Sequence, residues 1–355
     1  MTQIDKSKPV MVTGANGYVA SWIVKRLLDE GLTVHAAVRN PDDLKKVQHL
    51  IDAANNSKGE IKFFKADLLT PSAYTEAMQG CELVYHTASP FSTSVKDPQK
   101  ELIDPALKGT ENVLNSVNEV ESVKRVVDTS SCAAIYTDAI DTVNAPGGVL
   151  TEDVWNTTSS LEYQPYSFSK TLAEQKAWEM NKKQDRWDLV TINMSLVLGP
   201  ELNPKFTTSE SANIMKMFGD GQMKMGAPKM GMGVVDVRDV AEAHFRAGFT
   251  QEAQGRYITS AHNTDFVAMG AVLLPKYGDK FPLPKKALPK WLLMIFGPMV
   301  HKLFTRQYVR NNVNVPWNAD NSKIKRELGM TFRPLKETME DSFQMLIDQG
   351  AIKSK

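Results

Sequence analysis

The sequence has almost no cysteine, since only Cys81 and Cys132 occur among its 355 residues. Two cysteines cannot build a disulfide framework or a thiolate metal cluster, so a reducing compartment is expected. The sequence also lacks a long apolar run, because no segment approaches the roughly 20 residues that a membrane-spanning helix needs. The N-terminus is polar and has no apolar core of the kind found in signal peptides. We therefore expect a soluble cytoplasmic protein without a membrane span.

The sequence also has no large excess of positive or negative charge. The 42 Lys and Arg residues nearly balance the 41 Asp and Glu residues without a basic block, which argues against a nucleic-acid partner. The six histidines show no paired ligand spacing, so no metal is expected. One short apolar stretch, at residues 291–296, could touch a membrane surface or a partner subunit. We expect it instead to pack inside the C-terminal lobe.

A turn with two glycines is the most informative feature that is present. Residues 9–13 form an apolar strand by composition, and Gly14 follows directly. From Gly17 onwards, apolar side chains recur at helical spacing, at Val19, Ile23, Val24, Leu27 and Leu28. Gly14 permits a sharp turn, and Gly17 lets backbone N–H groups approach an anion at the positive end of the helix. The sequence therefore predicts a pyrophosphate-binding turn.

The next strand of this unit ends at a basic residue. A strand pattern at residues 33–38 completes a strand–helix–strand unit, and Arg39 stands directly after it. In dinucleotide-binding sites the residue at this position contacts the ribose of the adenosine, and an arginine there suits a 2′-phosphate on that ribose. Lys45 or Lys46 could add a second cation. We therefore expect NADP(H) as the cofactor.

Strands and helices continue to alternate as far as residue 193. Such alternation predicts a parallel sheet with helices on both faces and with ligands at the carboxyl ends of the strands. We expect residues 1–198 to form an NADP-binding domain, with a later strand and helix around 234–260 returning to it. Residues 199–355 are expected to form a substrate-binding lobe.

A tyrosine and a lysine four residues apart form the second motif. Tyr166 and Lys170 share one face of a predicted helix, so their side chains can address the same small volume. An ammonium nearby stabilises a phenolate, which makes the Tyr166 hydroxyl a usable proton donor. At the end of a strand, the hydroxyl of Ser131 is the expected further donor to a developing alkoxide.

These motifs together resemble the extended short-chain dehydrogenases/reductases, and within them the dihydroflavonol reductase-like group. That group includes yeast methylglyoxal and ketone reductases and bacterial aldehyde reductases. The resemblance covers nearly the whole chain and rests on residues 13–20, 38–39, 66–68, 86–91, 129–131, 166–170, 173–178, 198–200 and 236–244. It implies an α/β fold: a Rossmann-type doubly wound parallel sheet with a smaller mixed α/β C-terminal substrate lobe.

The resemblance also implies roles for individual residues. Ser131, Tyr166 and Lys170 would be catalytic, with Tyr166 protonating the oxygen of a carbonyl that receives hydride at its carbon. Lys170 would also hold the ribose hydroxyls. The implied cofactor-binding residues are Gly14, Asn16, Gly17, Tyr18 and Val19 at the pyrophosphate, Arg39 and Lys46 at the 2′-phosphate, Asp67 and Leu68 at the adenine, and Thr87, Ala88, Ser89, Tyr166, Lys170, Met194 and Val197 towards the nicotinamide.

Two positions depart from the family pattern. Ala20 replaces the usual third glycine of the turn, and Met194 stands where the family usually has proline. We expect cofactor binding to survive the extra methyl group of Ala20. Met194 either alters the orientation of the cofactor or simply repacks, because methionine adapts to irregular gaps.

The positions just past the central strands also indicate a substrate pocket. Its candidates are Phe91, Ser131, Cys132, Tyr136 and Leu196. Their largely apolar character favours aryl or alkyl aldehydes and ketones over sugar nucleotides, whose diphosphate would call for more arginines.

The sequence thus favours NADPH-dependent reduction of aldehydes and ketones to alcohols. One alternative is a sugar-nucleotide epimerase or dehydratase of the same superfamily, which recycles its hydride. Another is a non-catalytic NADPH-responsive binding protein, although the presence of Tyr166 and Lys170 counts against it. The expected partner is a small carbonyl compound, and the chain is expected to be a monomer or a homodimer.

Overall fold

The computed structural model describes residues 2–89, 95–206, 209–300 and 304–354, with Val300 described only in its backbone. Phe91, a predicted substrate residue, lies outside these ranges. The strands in the described residues are β1 (Val10–Thr13), β2 (Thr33–Val38), β3 (Glu60–Lys65), β4 (Leu83–His86), β5 (Arg125–Ser131), β6 (Asp188–Met194), β7 (Leu196–Leu198), β8 (Gly231–Asp236), β9 (Gly255–Thr259) and β10 (His262–Asp265).

Helices connect these strands and cover both faces of the main sheet. They are α1 (Tyr18–Asp29), α2 (Leu44–Asn55), α3 (Thr75–Met78), α4 (Asp104–Glu119), α5 (Ala139–Asn144), α6 (Pro165–Asn181), α7 (Glu210–Gly219), α8 (Val237–Phe249), α9 (Phe266–Tyr277), α10 (Lys290–Val300), α11 (Arg306–Asn312), α12 (Ser322–Leu328) and α13 (Leu335–Asp348). Short 3₁₀ turns occur at Cys132–Ala134, Pro146–Gly148 and Pro204–Phe206, and a π-helical turn at Gln99–Ile103 precedes α4.

Seven of the described strands form a parallel sheet in the order β3-β2-β1-β4-β5-β6-β9. The chain order reverses between β1 and β4, and this switch point is where doubly wound sheets bind ligands. The apolar sides of α1, α2 and α8 cover one face of the sheet, while α3, α4 and α6 cover the other. The predicted doubly wound parallel sheet is therefore confirmed.

A second sheet of three described strands lies after β6 in the chain. Its order is β10-β8-β7, with β7 parallel and β10 antiparallel to β8. Apolar side chains of α7, α9 and α13 pack with this sheet in a separate core cluster. Between β8 and β10 the chain returns to the large sheet, because α8 shares the core cluster of α1 and β9 pairs with β6.

A buried arginine ties the distant parts of the large sheet together. Arg125, at the start of β5, is fully buried, and its Nε and Nη2 donate to the two carboxylate oxygens of Asp188 at 2.8 and 3.0 Å. The same guanidinium donates to the backbone carbonyls of residues 247, 248, 250, 251 and 253. A planar guanidinium can donate to several acceptors at once, so Arg125 attaches the C-terminal end of α8 to the sheet.

Helix α10 holds the apolar stretch that the sequence predicts to be packed in the lobe. No described helix is long and apolar enough to cross a membrane. Leu293 and Met294 pack against the core of the lobe, as expected. Trp291 and Phe296, in contrast, are exposed, so the prediction that this stretch packs is wrong for its outer face.

Candidate active site

A cavity of about 640 Å³ opens at the carboxyl ends of β1, β4, β5 and β6. It lies at the switch point of the large sheet, where the topology predicts a ligand. Of the residues predicted from the sequence, the cavity is lined by Gly14, Asn16, Gly17, Tyr18, Val19, Thr87, Ser89, Ser131, Cys132, Tyr136, Tyr166, Lys170, Met194, Leu196 and Val197. The fold thus brings together, around one cleft, residues that are more than 180 positions apart in the sequence.

The glycine turn between β1 and α1 forms one end of this cavity. Gly14 has a φ of 59°, which L side chains rarely adopt. Gly17 is the N-cap of α1 and provides no side-chain cap. The N–H groups in the first turn of an α-helix have no partner within the helix, and here they border the cavity through Tyr18, Val19 and Ala20. This end of the cavity fits an anion such as a pyrophosphate.

The turn is held against the loop after β4 by a threonine clamp. The Oγ1 atom of Thr13 accepts hydrogen bonds from the N–H groups of Thr87 and Ala88, both at 2.9 Å. The Thr87 hydroxyl in turn bonds the carbonyl oxygen of Thr13. A Cβ atom on Gly14 would lie 3.1 Å from both Cα and Cβ of Ala88. Ala88 is therefore not a cavity-lining residue but the surface against which the glycine turn packs.

The three predicted catalytic residues come from two elements. Pro165 begins α6, which places Tyr166 in its first turn and Lys170 one turn later. The Lys170 ammonium donates to the Oγ atom of Ser89 at 2.9 Å. At the end of β5, the Ser131 hydroxyl accepts from the N–H of Ala133 at 3.1 Å. All three predicted catalytic side chains line the same cavity.

A buried ion pair supports α6 from beneath. Glu174 lies one turn beyond Lys170 and is 1% exposed, and its Oε1 atom accepts from the Nε of Arg256 at 2.7 Å. Its Oε2 atom accepts from Asn193 Nδ2 at 2.6 Å and from the Ser130 hydroxyl. Glu174 therefore joins α6 to β5, β6 and β9. The sequence analysis missed this network, although the i+4 spacing from Lys170 to Glu174 places both on one face of the helix.

Two further titratable side chains, also missed, lie near Lys170. Asp128 and His86 are register partners on β5 and β4. Burial, followed by the Lys170 ammonium, lowers the pKa of His86 to about 3, so its imidazole is neutral. Burial, followed by the Glu174 carboxylate, raises the pKa of Asp128 to about 7, against the opposing ammonium of Lys170.

The raised pKa of Asp128 predicts a pH-dependent stability. The folded protein binds this proton more tightly than the unfolded chain does, so the carboxylate reduces stability as the pH rises from about 4 to about 7. Asp128→Asn is therefore expected to stabilise the protein at pH 8 by on the order of 1–2 kcal/mol and to have little effect at pH 4. Denaturant unfolding at several pH values measures the effect. The same substitution at exposed Asp185 is the control, and an equal effect of both variants at pH 8 contradicts the prediction.

Besides Ala88, four predicted cofactor residues lie outside the lining of the cavity. Arg39 is exposed directly after β2, and Lys46 is exposed on α2 with its Nζ 3.9 Å from Asp43. Asp67 accepts the N–H of Leu69, and Leu68 packs closely on Gly109 of α4. These positions surround the ends of β2 and β3, on the side of the glycine turn away from Tyr166.

The substrate end of the cavity is mostly apolar. Cys132, Tyr136 and Leu196 lie there as predicted, and burial raises the pKa of the Cys132 thiol to about 12, so the thiol stays protonated. Leu202 and Phe206 also line the cavity and were missed. They follow β7 in a short irregular segment whose pattern gives no sign of a pocket.

Residues 199–206, here called the covering segment, follow β7 and contribute several residues to the lining of the cavity. The hydroxyl of Tyr18 donates to the carbonyl oxygen of Gly199 at 2.9 Å, and Trp22 Nε1 donates to that of Pro200 at 2.8 Å. Asn203 Nδ2 donates to the carbonyl oxygen of Lys45 at 3.1 Å. The covering segment is thereby attached to α1 and α2, the two helices that follow the first two strands.

A known protein family matches the part of the chain that contains the glycine turn, the switch point and the Tyr–Lys pair. The NAD dependent epimerase/dehydratase family matches residues 10–257, which is more than half of the chain. The chain belongs to this family.

Several relatives within the epimerase/dehydratase family are reductases. Cinnamoyl-CoA reductase CAD2 of Medicago truncatula is 42% identical over 292 residues, which cover 81% of this chain and 86% of the relative. Tetraketide alpha-pyrone reductase 1 of Arabidopsis thaliana is 35% identical over 353 residues, or 98% of each chain. The solved structure of yeast methylglyoxal/isovaleraldehyde reductase Gre2 complexed with NADPH is 28% identical, with a TM-score of 0.75, and covers 97% of this chain and 100% of that chain.

These findings confirm the assignment to the extended short-chain dehydrogenases/reductases and their dihydroflavonol reductase-like group. The chain is an NAD(P)-dependent reductase of the epimerase/dehydratase family. The individual residue roles given above remain predictions.

Proposed function

We propose that this protein reduces small uncharged aldehydes and ketones to alcohols with NADPH. In the overall reaction a carbonyl compound, NADPH and a proton give an alcohol and NADP⁺. One observation carries the proposal: Ser131, Tyr166 and Lys170 share a cavity with the glycine turn and with the apolar side chains of Leu196, Leu202 and Phe206. Proton donors beside a dinucleotide site are what carbonyl reduction requires.

The residues present fit NADPH. The uncapped first turn of α1 suits the pyrophosphate, and exposed Arg39 suits a 2′-phosphate. Ser89 and Lys170, which are hydrogen-bonded to each other, would hold the ribose hydroxyls. When bound, the nicotinamide ring supplies the hydride. The NADPH complex of the similar yeast enzyme Gre2 supports this choice of cofactor.

Three side chains of the cavity have separate roles in transferring the proton and stabilising the developing charge. The Tyr166 hydroxyl donates a proton to the carbonyl oxygen of the substrate as negative charge develops there. The Lys170 ammonium, one helical turn away, favours the phenolate that remains. The Ser131 hydroxyl accepts the N–H of Ala133, and it donates over a long contact of 3.5 Å to the carbonyl oxygen of Met194, so a substrate oxygen can replace that acceptor.

The charges of the cavity support an uncharged substrate. Among the described lining residues, Lys170 is the only Lys or Arg, whereas Glu201 and Glu210 are acidic. A sugar nucleotide or a coenzyme A thioester carries several phosphate charges and would find no cation at the substrate end. We propose that residues 199–355, apart from the strand and helix around 234–260 that return to the large sheet, form the substrate lobe, with Leu202 and Phe206 in contact with an aryl or alkyl group.

A panel of carbonyl compounds tests the proposed function. We expect turnover of aromatic and aliphatic aldehydes or ketones, with kcat/KM higher for NADPH than for NADH by about 10- to 100-fold. The panel includes cinnamoyl-CoA and a sugar nucleotide, each assayed by cofactor oxidation. Activity restricted to the thioester would overturn the proposed substrate class, and so would activity restricted to the sugar nucleotide.

The same panel with Arg39→Ala isolates the contribution of the 2′-phosphate. This variant is expected to lose most of the preference for NADPH while its activity with NADH changes little, because only NADPH carries that phosphate. Arg326→Ala, at an exposed arginine on α12, is the matched control. If Arg39→Ala still prefers NADPH to NADH as strongly as the wild type does, Arg39 does not bind the 2′-phosphate as proposed.

A further inference from the structure

Helix α10 presents one apolar face to the surroundings. Apart from Lys290, its side chains are apolar throughout. Leu293 and Met294 face the lobe, whereas Trp291, Ile295, Phe296 and Met299 are 62%, 53%, 50% and 82% exposed. The positions 291, 295 and 299 are four residues apart, so they form a stripe along one side of the helix. We call these four exposed residues the apolar stripe.

Basic residues adjoin the apolar stripe, although the whole chain is almost neutral. The described segments 221–230, 280–300 and 304–310 contain eight Lys or Arg residues and no Asp or Glu, while Asp220 and Asp279 lie just outside them. The eight are Lys224, Lys229, Lys280, Lys285, Lys286, Lys290, Arg306 and Arg310. Within the described ranges none of them forms an ion pair with a carboxylate.

Hydrogen bonds bring these segments together around α10. The N–H of Ala227 donates to the carbonyl oxygen of Lys286 at 3.0 Å, and the N–H of Leu288 donates to that of Ala227 at 2.8 Å. On the other side, Lys290 Nζ donates to the carbonyl oxygen of Arg310 at 2.9 Å. The basic residues are distant in sequence, so the sequence analysis found no basic block, but the fold collects them into one surface.

We propose that α10 and its basic surroundings bind the surface of membranes that contain anionic lipids. The helix has 11 residues, too few to span a bilayer, but its apolar stripe can enter the boundary between headgroups and acyl chains. Tryptophan favours this boundary, and Trp291 stands at the start of the helix. Each lysine or arginine near an anionic surface adds electrostatic attraction.

The shape and charge of this surface favour a membrane over a protein partner. At least half of each side chain in the apolar stripe is exposed, so the stripe projects outward and enters a fluid layer without a matching groove. Seven of the eight cations are exposed and spread around the helix, which matches an extended anionic surface. A second copy of the chain would bring the same positive charge and would be repelled.

Co-sedimentation with lipid vesicles tests the proposal. The full-length protein is expected to bind vesicles of phosphatidylcholine with roughly one third phosphatidylserine at least about tenfold more tightly than pure phosphatidylcholine vesicles. Raising the salt concentration is expected to weaken this binding, because salt screens exposed charges. Failure of the wild-type protein to bind the anionic vesicles overturns the proposal.

Two double variants separate the apolar from the electrostatic contribution. Trp291→Ser with Phe296→Ser, and Lys285→Glu with Lys286→Glu, are each expected to lower the partition coefficient for anionic vesicles by about tenfold or more. The altered side chains are exposed, and an unchanged temperature of thermal unfolding checks the fold.

Matched controls and light scattering complete the test. Leu44→Ser removes an exposed apolar side chain elsewhere, and Lys58→Glu with Lys182→Glu reverses two exposed lysines on other parts of the surface. These controls are expected to bind as the wild type does. If the control variants lose as much vesicle binding as the two double variants do, the assignment of the membrane-binding surface to α10 is overturned. Light scattering that shows a dimer split by Trp291→Ser with Phe296→Ser also overturns it, since a second copy then covers the stripe.

Discussion

Replacement of Tyr166 with phenylalanine is expected to lower kcat by about 10²- to 10⁴-fold, the range typical of a lost general acid. The aromatic ring and Lys170 remain, so the Kd for NADPH is expected to stay within about twofold of the wild-type value. Steady-state kinetics with the best carbonyl substrate gives kcat, and fluorescence titration with NADPH gives the Kd. The two measurements together distinguish a chemical defect from a failure to bind the cofactor.

Tyr163 offers a matched control three residues earlier in the chain. Its hydroxyl donates to Asp138 Oδ2 at 2.7 Å, and Tyr163 does not line the described part of the cavity. Tyr163→Phe is expected to cost about 1 kcal/mol of stability through the lost hydrogen bond and to leave kcat near the wild-type value. Wild-type turnover in Tyr166→Phe would reject Tyr166 as the proton donor, even if the cofactor were NADPH.

Replacement of Arg125 with leucine is expected to lower the free energy of unfolding by about 3–5 kcal/mol, because a fully buried guanidinium that donates to several backbone carbonyls and to the partly exposed Asp188 carboxylate is lost. The change leaves the Asp188 carboxylate and several backbone carbonyls of residues 247–253 without their donor. Chemical denaturation at neutral pH measures the loss, which is a large share of the stability of a typical protein.

Arg326→Leu makes the same change where the guanidinium is exposed. The Arg326 side chain is 64% exposed and pairs with its neighbour Glu327, so we expect a change below about 0.5 kcal/mol. A similar small change in Arg125→Leu would show that water or other donors replace the buried guanidinium at low cost.

The nucleotide-binding half could be predicted from its sequence in some detail. Strands of a parallel sheet are buried on both faces, so they leave short apolar runs between helical patterns. The strand predicted at residues 33–38 is β2 as observed, and the helix predicted after Gly17 is α1. The strands of the small sheet could not be recognised in this way. β10 has the polar sequence His-Asn-Thr-Asp, and β7 has only three residues, too few to show a period.

The candidate site was predictable where its residues share a local pattern. Gly14 and Gly17 belong to one turn, and Tyr166 and Lys170 lie one helical turn apart. The pair of Glu174 and Arg256 spans 82 positions, and no local pattern predicts that a glutamate on a helix meets an arginine on β9. The exposed face of α10 was missed for a related reason: hydropathy shows that the helix is apolar but not which sides are covered.

The contact between Gly14 and Ala88 has a consequence for the width of the dinucleotide crevice. The hydrogen bonds to Thr13 hold the ends of β1 and β4 so close together that a Cβ atom on Gly14 would lie 3.1 Å from both the Cα and the Cβ atom of Ala88. A bulkier side chain at position 14 or 88 would push apart the ends of β1 and β4, which flank the predicted pyrophosphate site. Positions 14 and 88 are therefore both limited to small residues, and position 14 is limited further by its positive φ, which no change at position 88 would relieve.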